Sequence, residues 1–136
     1  MNPDSKTITA WLRNLKHYKS WKALNELRLY VLPKFIAFKN KLTDEEKGKL
    51  TKANDVLGEQ FDLFRQLIKD LPLAQQEAVQ KYYFVKYDND YDPDALKKGQ
   101  KHIRSKLRRM MKEEAIEARY PKDGWVVLKM RAGDSR

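Results

Sequence analysis

The longest uninterrupted helical pattern in this chain of 136 residues covers residues 43–71, TDEEKGKLTKANDVLGEQFDLFRQLIKDL. Thr43 followed three positions later by Glu46 predicts a capping box, which satisfies the first free N–H groups of a helix. Apolar side chains then recur at helical spacing: Leu50, Ala53, Leu57, Phe61, Phe64, Ile68 and Leu71. Pro72 ends the pattern. The stretch therefore predicts one long helix, which either packs the domain or forms half of a dimeric coiled coil.

Helices are also predicted on both sides of this stretch. Towards the N-terminus, apolar residues recur at helical spacing from Ile8 to Tyr18. After Pro72, one helix runs through Phe84, and a last one begins behind the capping residue Asp92 and reaches about Arg119. Residues 125–128 are β-prone and predict an edge strand or an extended tail. The fold class expected is mainly α: a single-domain helical bundle with a long central helix and a short C-terminal extended segment.

Charge is concentrated in one part of the sequence. The chain has 29 Lys and Arg against 19 Asp and Glu, a net charge of +10. Residues 1–42 hold 9 basic and 2 acidic residues, whereas residues 43–94 hold 7 basic and 12 acidic ones. Residues 95–112 hold 8 basic residues and no acidic residue. This imbalance indicates an anionic partner, and it indicates that residues 95–112 contact that partner.

Residues 95–112 are predicted to form a helix that is anchored by a narrow apolar seam. Leu96, Ile103, Leu107 and Met110 make the seam. Much of the remaining surface is cationic: Lys97, Lys98, Lys101, Arg104, Lys106, Arg108, Arg109 and Lys112. A helix of this kind suits the phosphates or the major groove of double-stranded DNA. Interspersed donors and acceptors could reach base edges: Gln100, His102 and Ser105. The competing interpretation is a solvated basic face without a partner.

Several function classes find little support in the sequence. Without cysteine, there is no disulfide framework, thiolate nucleophile or Cys-ligated zinc. No apolar run is long enough to span a membrane, so we expect a cytoplasmic protein without membrane contact. No catalytic or cofactor motif is present, so no enzyme activity and no cofactor are predicted. Aromatic residues at helical spacing predict core positions rather than base-stacking platforms: Trp11, Tyr18, Trp21, Tyr82, Tyr83 and Phe84.

An acidic loop resembles the start of a calcium-binding loop. Asp88, Asp90, Asp92 and Asp94 alternate as the early ligands of an EF-hand do. The sixth position, where an EF-hand has glycine, is Pro93, and the twelfth, where it has glutamate, is Gly99. We therefore predict a solvated turn that caps the following helix, and no metal site.

Two stretches resemble a known DNA-binding module. Residues 70–84, DLPLAQQEAVQKYYF, resemble the opening of a sigma-factor region-four helix-turn-helix, and residues 103–111, IRSKLRRMM, look like its recognition helix. The arrangement is similar to phage late-gene transcription regulators of the RinA and ArpU types, mainly over residues 70–119. Between the two stretches, Gly99 is a candidate for the turn glycine of the motif; alternatively, the first helix of the motif is missing or is replaced by one uninterrupted basic helix.

The resemblance implies a DNA-binding phage or prophage transcription regulator in a bacterial host cell. Residues 1–71 would pack the domain, with a possible homodimer through the 43–71 helix, residues 72–119 would bind DNA, and residues 120–136 would be an extended tail. One alternative is a phage-encoded inhibitor of a host protein or ribonucleoprotein, such as a CRISPR defence complex. A second alternative is a phage packaging or structural protein.

Overall fold

The fold is mainly helical, as predicted. The computed structural model of the chain describes residues 3–31, 42–85, 90–120 and 125–131, and helices make up 77% of them. Helix α1 spans Pro3–Glu26 and continues into a π-helical segment, Leu27–Val31. The other helices are α2 (Asp44–Ile68), α3 (Leu73–Phe84) and α4 (Pro93–Lys112). No helix in these ranges is both long enough and apolar enough to cross a membrane.

Two helix starts follow directly from local sequence. The capping box before α2 is present, because Thr43 Oγ1 accepts from the N–H of Glu46 at 3.1 Å and Glu46 Oε1 accepts from the N–H of Thr43 at 3.1 Å. The bond from the backbone N–H of Thr43 to the Glu46 carboxyl, together with the Thr43 hydroxyl beside it, holds the pKa of that carboxyl below its usual value. Before α4, Asp92 Oδ1 accepts from the N–H of Asp94 at 2.9 Å. Both predicted caps are confirmed.

The end of α4 corrects the sequence prediction. The last helix was expected to reach about Arg119, but α4 ends at Lys112 and residues 116–119 form a strand. The N–H of Ala115 donates to Met110 O at 2.8 Å and that of Glu114 to Met111 O at 3.1 Å, the two bonds of a Schellman motif. Glu114 adopts the left-handed conformation (φ 58°) that this motif requires. Because the position usually holds glycine, the sequence did not signal this helix end.

The C-terminal segment belongs to a two-stranded sheet. Strand β1 (Ile116–Arg119) pairs antiparallel with β2 (Val127–Met130), with Ile116 opposite Met130. Val126, Val127 and Leu128 are buried. Of the two forms predicted for residues 125–128, a strand is observed, but it spans Val127–Met130, and its partner is the segment that was expected to be helical.

Buried amides attach β2 to the helices. Gln60 of α2 is fully buried, and its Oε1 accepts from the N–H of Leu128 and from Nε1 of Trp11, both at 2.8 Å. Its Nε2 donates to Leu128 O and Val56 O, both at 3.0 Å, so all four hydrogen-bonding positions of the amide are used. Asn14 Oδ1 of α1 accepts from the N–H of Val126 at 2.8 Å.

One apolar core joins the four helices and β2. Its largest fully buried side chains include Trp11, Tyr18 and Phe64. Tyr83 is also buried, whereas Trp21, Tyr82 and Phe84 are partly buried and pack against the core. Burying one large apolar side chain contributes about 1.5–3 kcal/mol, so these contacts supply much of the stability. The predicted core positions are confirmed for Trp11, Tyr18 and Tyr83, whereas Trp21, Tyr82 and Phe84 lie at the edge of the core and keep part of their surface exposed.

Candidate nucleic-acid interface

Helix α4 carries its cations opposite its buried side. Ala95, Gly99, Ile103 and Leu107 are buried and recur every four positions, which turns one stripe of the helix towards the core. Six of the eight predicted cations are exposed: Lys97, Lys98, Lys101, Arg108, Arg109 and Lys112. At 1.5 Å per residue they extend about 22 Å along the helix. The arrangement is one continuous cationic face, which we call the basic face.

The basic face is not neutralised by the rest of the described chain. Within residues 3–31, 42–85, 90–120 and 125–131, none of the six exposed cations forms an ion pair. Like charges four positions apart repel one another, as for Lys97 with Lys101 and Arg108 with Lys112. Phosphates bound along the helix would relieve this repulsion.

The other two predicted cations are engaged within the molecule. Arg104 is half-buried, and its Nη1 donates to Thr9 Oγ1 at 3.0 Å, which ties α4 to α1. Lys106 is also half-buried, and its Nζ lies 3.4 Å from both Asp70 Oδ2 and Gln66 O. Among the described residues, no carboxylate forms an ion pair with Arg104, whereas the charge of Lys106 is partly balanced by Asp70.

The three residues predicted to reach base edges are not equally placed to do so. Gln100 is half-buried and its Nε2 donates to the hydroxyl of Tyr83 at 3.2 Å. Burial raises the pKa of the Tyr83 hydroxyl, an effect that this hydrogen bond partly offsets. His102 is half-buried, and its Nε2 is buried without a hydrogen-bond partner. Ser105 is exposed among the cations. The exposed groups of this surface are therefore mainly suited to phosphate contacts.

A close helix contact holds α4 in place against α3. A Cβ atom built on Gly99 would lie 2.7 Å from Val79 Cγ1, a distance that real Cβ contacts do not reach. Gly99 is thus needed for the approach of the two helices. Gly99 is not a turn glycine, because it lies inside the uninterrupted helix Pro93–Lys112.

Three further cations, which the sequence does not single out, follow Thr9 along α1 at three- or four-residue spacing. Arg13 is exposed one helical turn after Thr9, the residue that Arg104 contacts. Lys16 Nζ lies 4.0 Å above the ring of Tyr82, and Lys19 Nζ is 3.5 Å from Phe84 O. The net charge of +7 in residues 1–42 indicates that this part of the chain is basic. Only the tertiary contact of Arg104 with Thr9 shows which cations of α1 lie on the side of that helix that faces α4.

The acidic loop does not assemble a metal site in the part that the structure describes. Asp92 caps α4, and Lys81 Nζ donates to Asp90 O at 2.8 Å. Asp88 lies outside the described residues. Across the described ranges, no group of three or more histidine or acidic side chains is placed to hold a metal ion.

Comparison with models of protein families, with curated proteins and with solved structures returned no match to this chain. The resemblance to RinA- and ArpU-type regulators stays a prediction from the residues that carry it. The proposed function therefore depends on the exposure and charge of the basic face.

Proposed function

We propose that this chain binds double-stranded DNA through phosphate contacts made by the basic face of α4. The observation that carries the proposal is the set of six exposed cations that extends about 22 Å on one side of a single helix without an ion pair among the described residues. A lysine or arginine that neutralises a phosphate releases condensed counterions, which is the main source of sequence-independent DNA affinity.

The composition of the face favours DNA over a lipid surface. A helix that binds a membrane surface presents large apolar and aromatic side chains beside its cations. In α4 the large apolar residues Ile103 and Leu107 are fully buried in the core, whereas the residues around Lys101 and Arg108 on the outer side are charged or polar. The outer side therefore has little to insert into a bilayer.

Neighbouring residues extend the proposed contact. Arg104 is held at the edge of the basic face by Thr9, and Arg13 of α1 is exposed one turn beyond Thr9. A side chain that is already ordered loses less conformational entropy on binding than a free one. We therefore assign Arg104 to a phosphate contact at the edge of the interface.

Regulation of transcription in a phage or prophage is the role proposed on the resemblance stated above. Such a role requires preference for a DNA sequence. Gln100 and His102 are half-buried and only Ser105 is exposed among the residues considered for base contacts, so we expect phosphate contacts to dominate affinity and sequence preference to be modest. Selection from a pool of random duplexes measures that preference directly.

A pair of charge-reversed variants tests the proposal. The first carries Lys101→Glu and Arg108→Glu on the basic face, and the second carries Lys47→Glu and Lys52→Glu on exposed positions of α2. Both lower the net charge by the same amount, so a difference between them reports the position of the charges. By fluorescence anisotropy with a 20-base-pair duplex at low salt, we expect the first variant to bind at least about 100-fold more weakly than the second. Equal affinities would remove the basic face from the proposed interface.

A further inference from the structure

A groove with aromatic walls lies between α1, α2 and α3. It has a volume of about 680 Å³, and Phe61 and Phe84 line it with their rings 5.6 Å apart in an edge-to-face arrangement. Both rings are only partly buried, so part of their surface remains accessible from the groove. Exposed aromatic surface is what an unstacked nucleobase packs against in proteins that bind single strands.

A glycine in the middle of α2 leaves room in the groove. Gly58 lines the groove, and a Cβ atom built on it meets nothing within 4 Å. Packing therefore does not require glycine here, although glycine in a helix interior is less stable than alanine. The lack of a side chain at this position keeps the groove wide, although glycine here has a cost in helix stability.

Cations surround the aromatic walls. Among the residues that the structure describes, Lys19, Lys22 and Arg65 line the groove together with one acidic residue, Asp62. Lys22 pairs with Glu26 and Arg65 with Asp62, but both are local pairs between partly exposed side chains, and such pairs contribute little. Their cations can turn to a phosphate at small cost. The combination of aromatic walls and surplus positive charge complements a nucleotide.

Helix α1 connects the groove to the basic face. Thr9 contacts Arg104 of α4, Lys16 lies over Tyr82 of α3, and Lys19 lies beside Phe84 at the groove. From residue 9 to residue 19 the helix rises about 15 Å. A strand that leaves the basic face thus meets further cations on its way to the groove.

We propose that the groove binds one unpaired nucleotide of a DNA strand whose neighbouring phosphates are held by α1 and α4. The base packs against Phe61 and Phe84, and Lys19 and Arg65 contact its phosphate. This inference rests on the proposed DNA binding by the basic face, and it adds recognition of a single-stranded segment beside the duplex.

The test compares two duplexes that differ only in the bases of a single-stranded overhang. One carries a five-nucleotide overhang with 2-aminopurine in it, and the other carries an abasic overhang with the same phosphates. We expect the overhang with bases to bind about tenfold more tightly, because stacking on an aromatic side chain adds affinity independently of charge. The 2-aminopurine fluorescence should change on binding, since the base leaves its DNA neighbours.

Gly58→Leu is expected to abolish this preference by filling the groove, while leaving the affinity for a blunt duplex unchanged. Gly48→Leu is the matched control, because Gly48 also lies in α2, also has nothing within 4 Å of a built Cβ, and does not line the groove. If Gly58→Leu lowers affinity for the blunt duplex, which would indicate a damaged fold, the exposed substitution Arg65→Gln serves as the second variant and should weaken binding of both overhang duplexes relative to the blunt duplex.

Equal affinity for the two overhangs would overturn the inference, as would a preference that survives Gly58→Leu or overhang binding that Arg65→Gln leaves unchanged relative to the blunt duplex. These failures are separate from a failure of the proposed function. Blunt-duplex binding that depends on Lys101 and Arg108 can hold while the overhang preference is absent, and an overhang preference removed by Gly58→Leu can hold while the blunt duplex does not bind.

Discussion

Lys106 Nζ lies 3.4 Å from Asp70 Oδ2, and this pair separates one cation of α4 from the basic face. The side chain of Lys106 is 26% exposed. Lys101, on the same helix, is exposed and has no ion pair among the described residues. The two lysines are identical in type and lie five positions apart. A comparison of the two therefore tests whether DNA binding depends on where a charge lies or only on the total charge.

We therefore expect Lys101→Gln to weaken DNA binding more than Lys106→Gln does. Removing one phosphate contact lowers the slope of log affinity against log salt concentration by about 1. Lys101→Gln should show that reduction, and Lys106→Gln should leave the slope nearly unchanged. Anisotropy titrations at four salt concentrations measure both slopes. Identical effects of the two substitutions would mean that overall charge, not the exposed face, governs binding.

Two glycines in helix interiors should respond oppositely to alanine. At Gly58 the new Cβ meets nothing within 4 Å, so Gly58→Ala should raise the free energy of unfolding by about 0.5–1 kcal/mol. At Gly99 it would meet Val79 Cγ1 at 2.7 Å, and overpacking a buried contact costs about 1–3 kcal/mol. Urea denaturation of the two variants beside the unmodified chain gives both values. Stabilisation by Gly99→Ala would contradict the close approach of α3 and α4.

The buried amide of Gln60 is expected to be a main determinant of stability. Gln60→Ala leaves Nε1 of Trp11 and the backbone N–H and C=O of Leu128 without partners in the core. Buried polar groups that lose their partners cost about 1–3 kcal/mol each, so we expect a loss of about 3–5 kcal/mol in unfolding free energy. Gln66→Ala, at an exposed position six residues later, should change it by less than about 0.5 kcal/mol. Similar losses in the two variants would show that the amide does not hold β2.

Stability should fall at alkaline pH through Tyr18. Burial raises the pKa of its hydroxyl, and the side chain is fully buried in its neutral form. Because the pKa in the folded state lies above the unfolded value of about 10, the contribution of Tyr18 is complete below pH 10 and is lost as the pH rises further. One such group changes the unfolding free energy by up to about 1.4 kcal/mol per pH unit. The curve for Tyr18→Phe should therefore fall less steeply above pH 10, and parallel curves would exclude this cause.

Local sequence signals predicted the helix starts and the cationic character of α4. The Thr43 hydroxyl accepts from the N–H of Glu46, and the Asp92 carboxylate accepts from the N–H of Asp94, so both helix starts depend only on neighbours in sequence. The end of α4 did not follow, because Glu114 occupies a left-handed position at which sequence alone leads one to expect glycine.

The tertiary contacts that hold α4 and β2 in place connect residues far apart in the chain. Arg104 meets Thr9 across 95 positions, and Gln60 meets Leu128 across 68. No periodicity signals such pairs, so the sequence could not show that Gln100 and His102 are half-buried while Ser105 remains exposed. The groove at Phe61 and Phe84 likewise arises only when α1, α2 and α3 pack together.

The salt dependence of duplex binding tests the central claim most directly. The six exposed cations of the basic face alone predict a slope of log affinity against log salt concentration of about −5, since each neutralised phosphate contributes about −0.9, and the contact assigned to Arg104 adds about one unit to its magnitude. The measurement is an anisotropy titration of the full chain with a blunt 20-base-pair duplex from low to physiological salt. A slope of about −5 or steeper is the result that phosphate binding by the basic face requires. A slope shallower than about −2, or no binding at 50 mM salt, would contradict it.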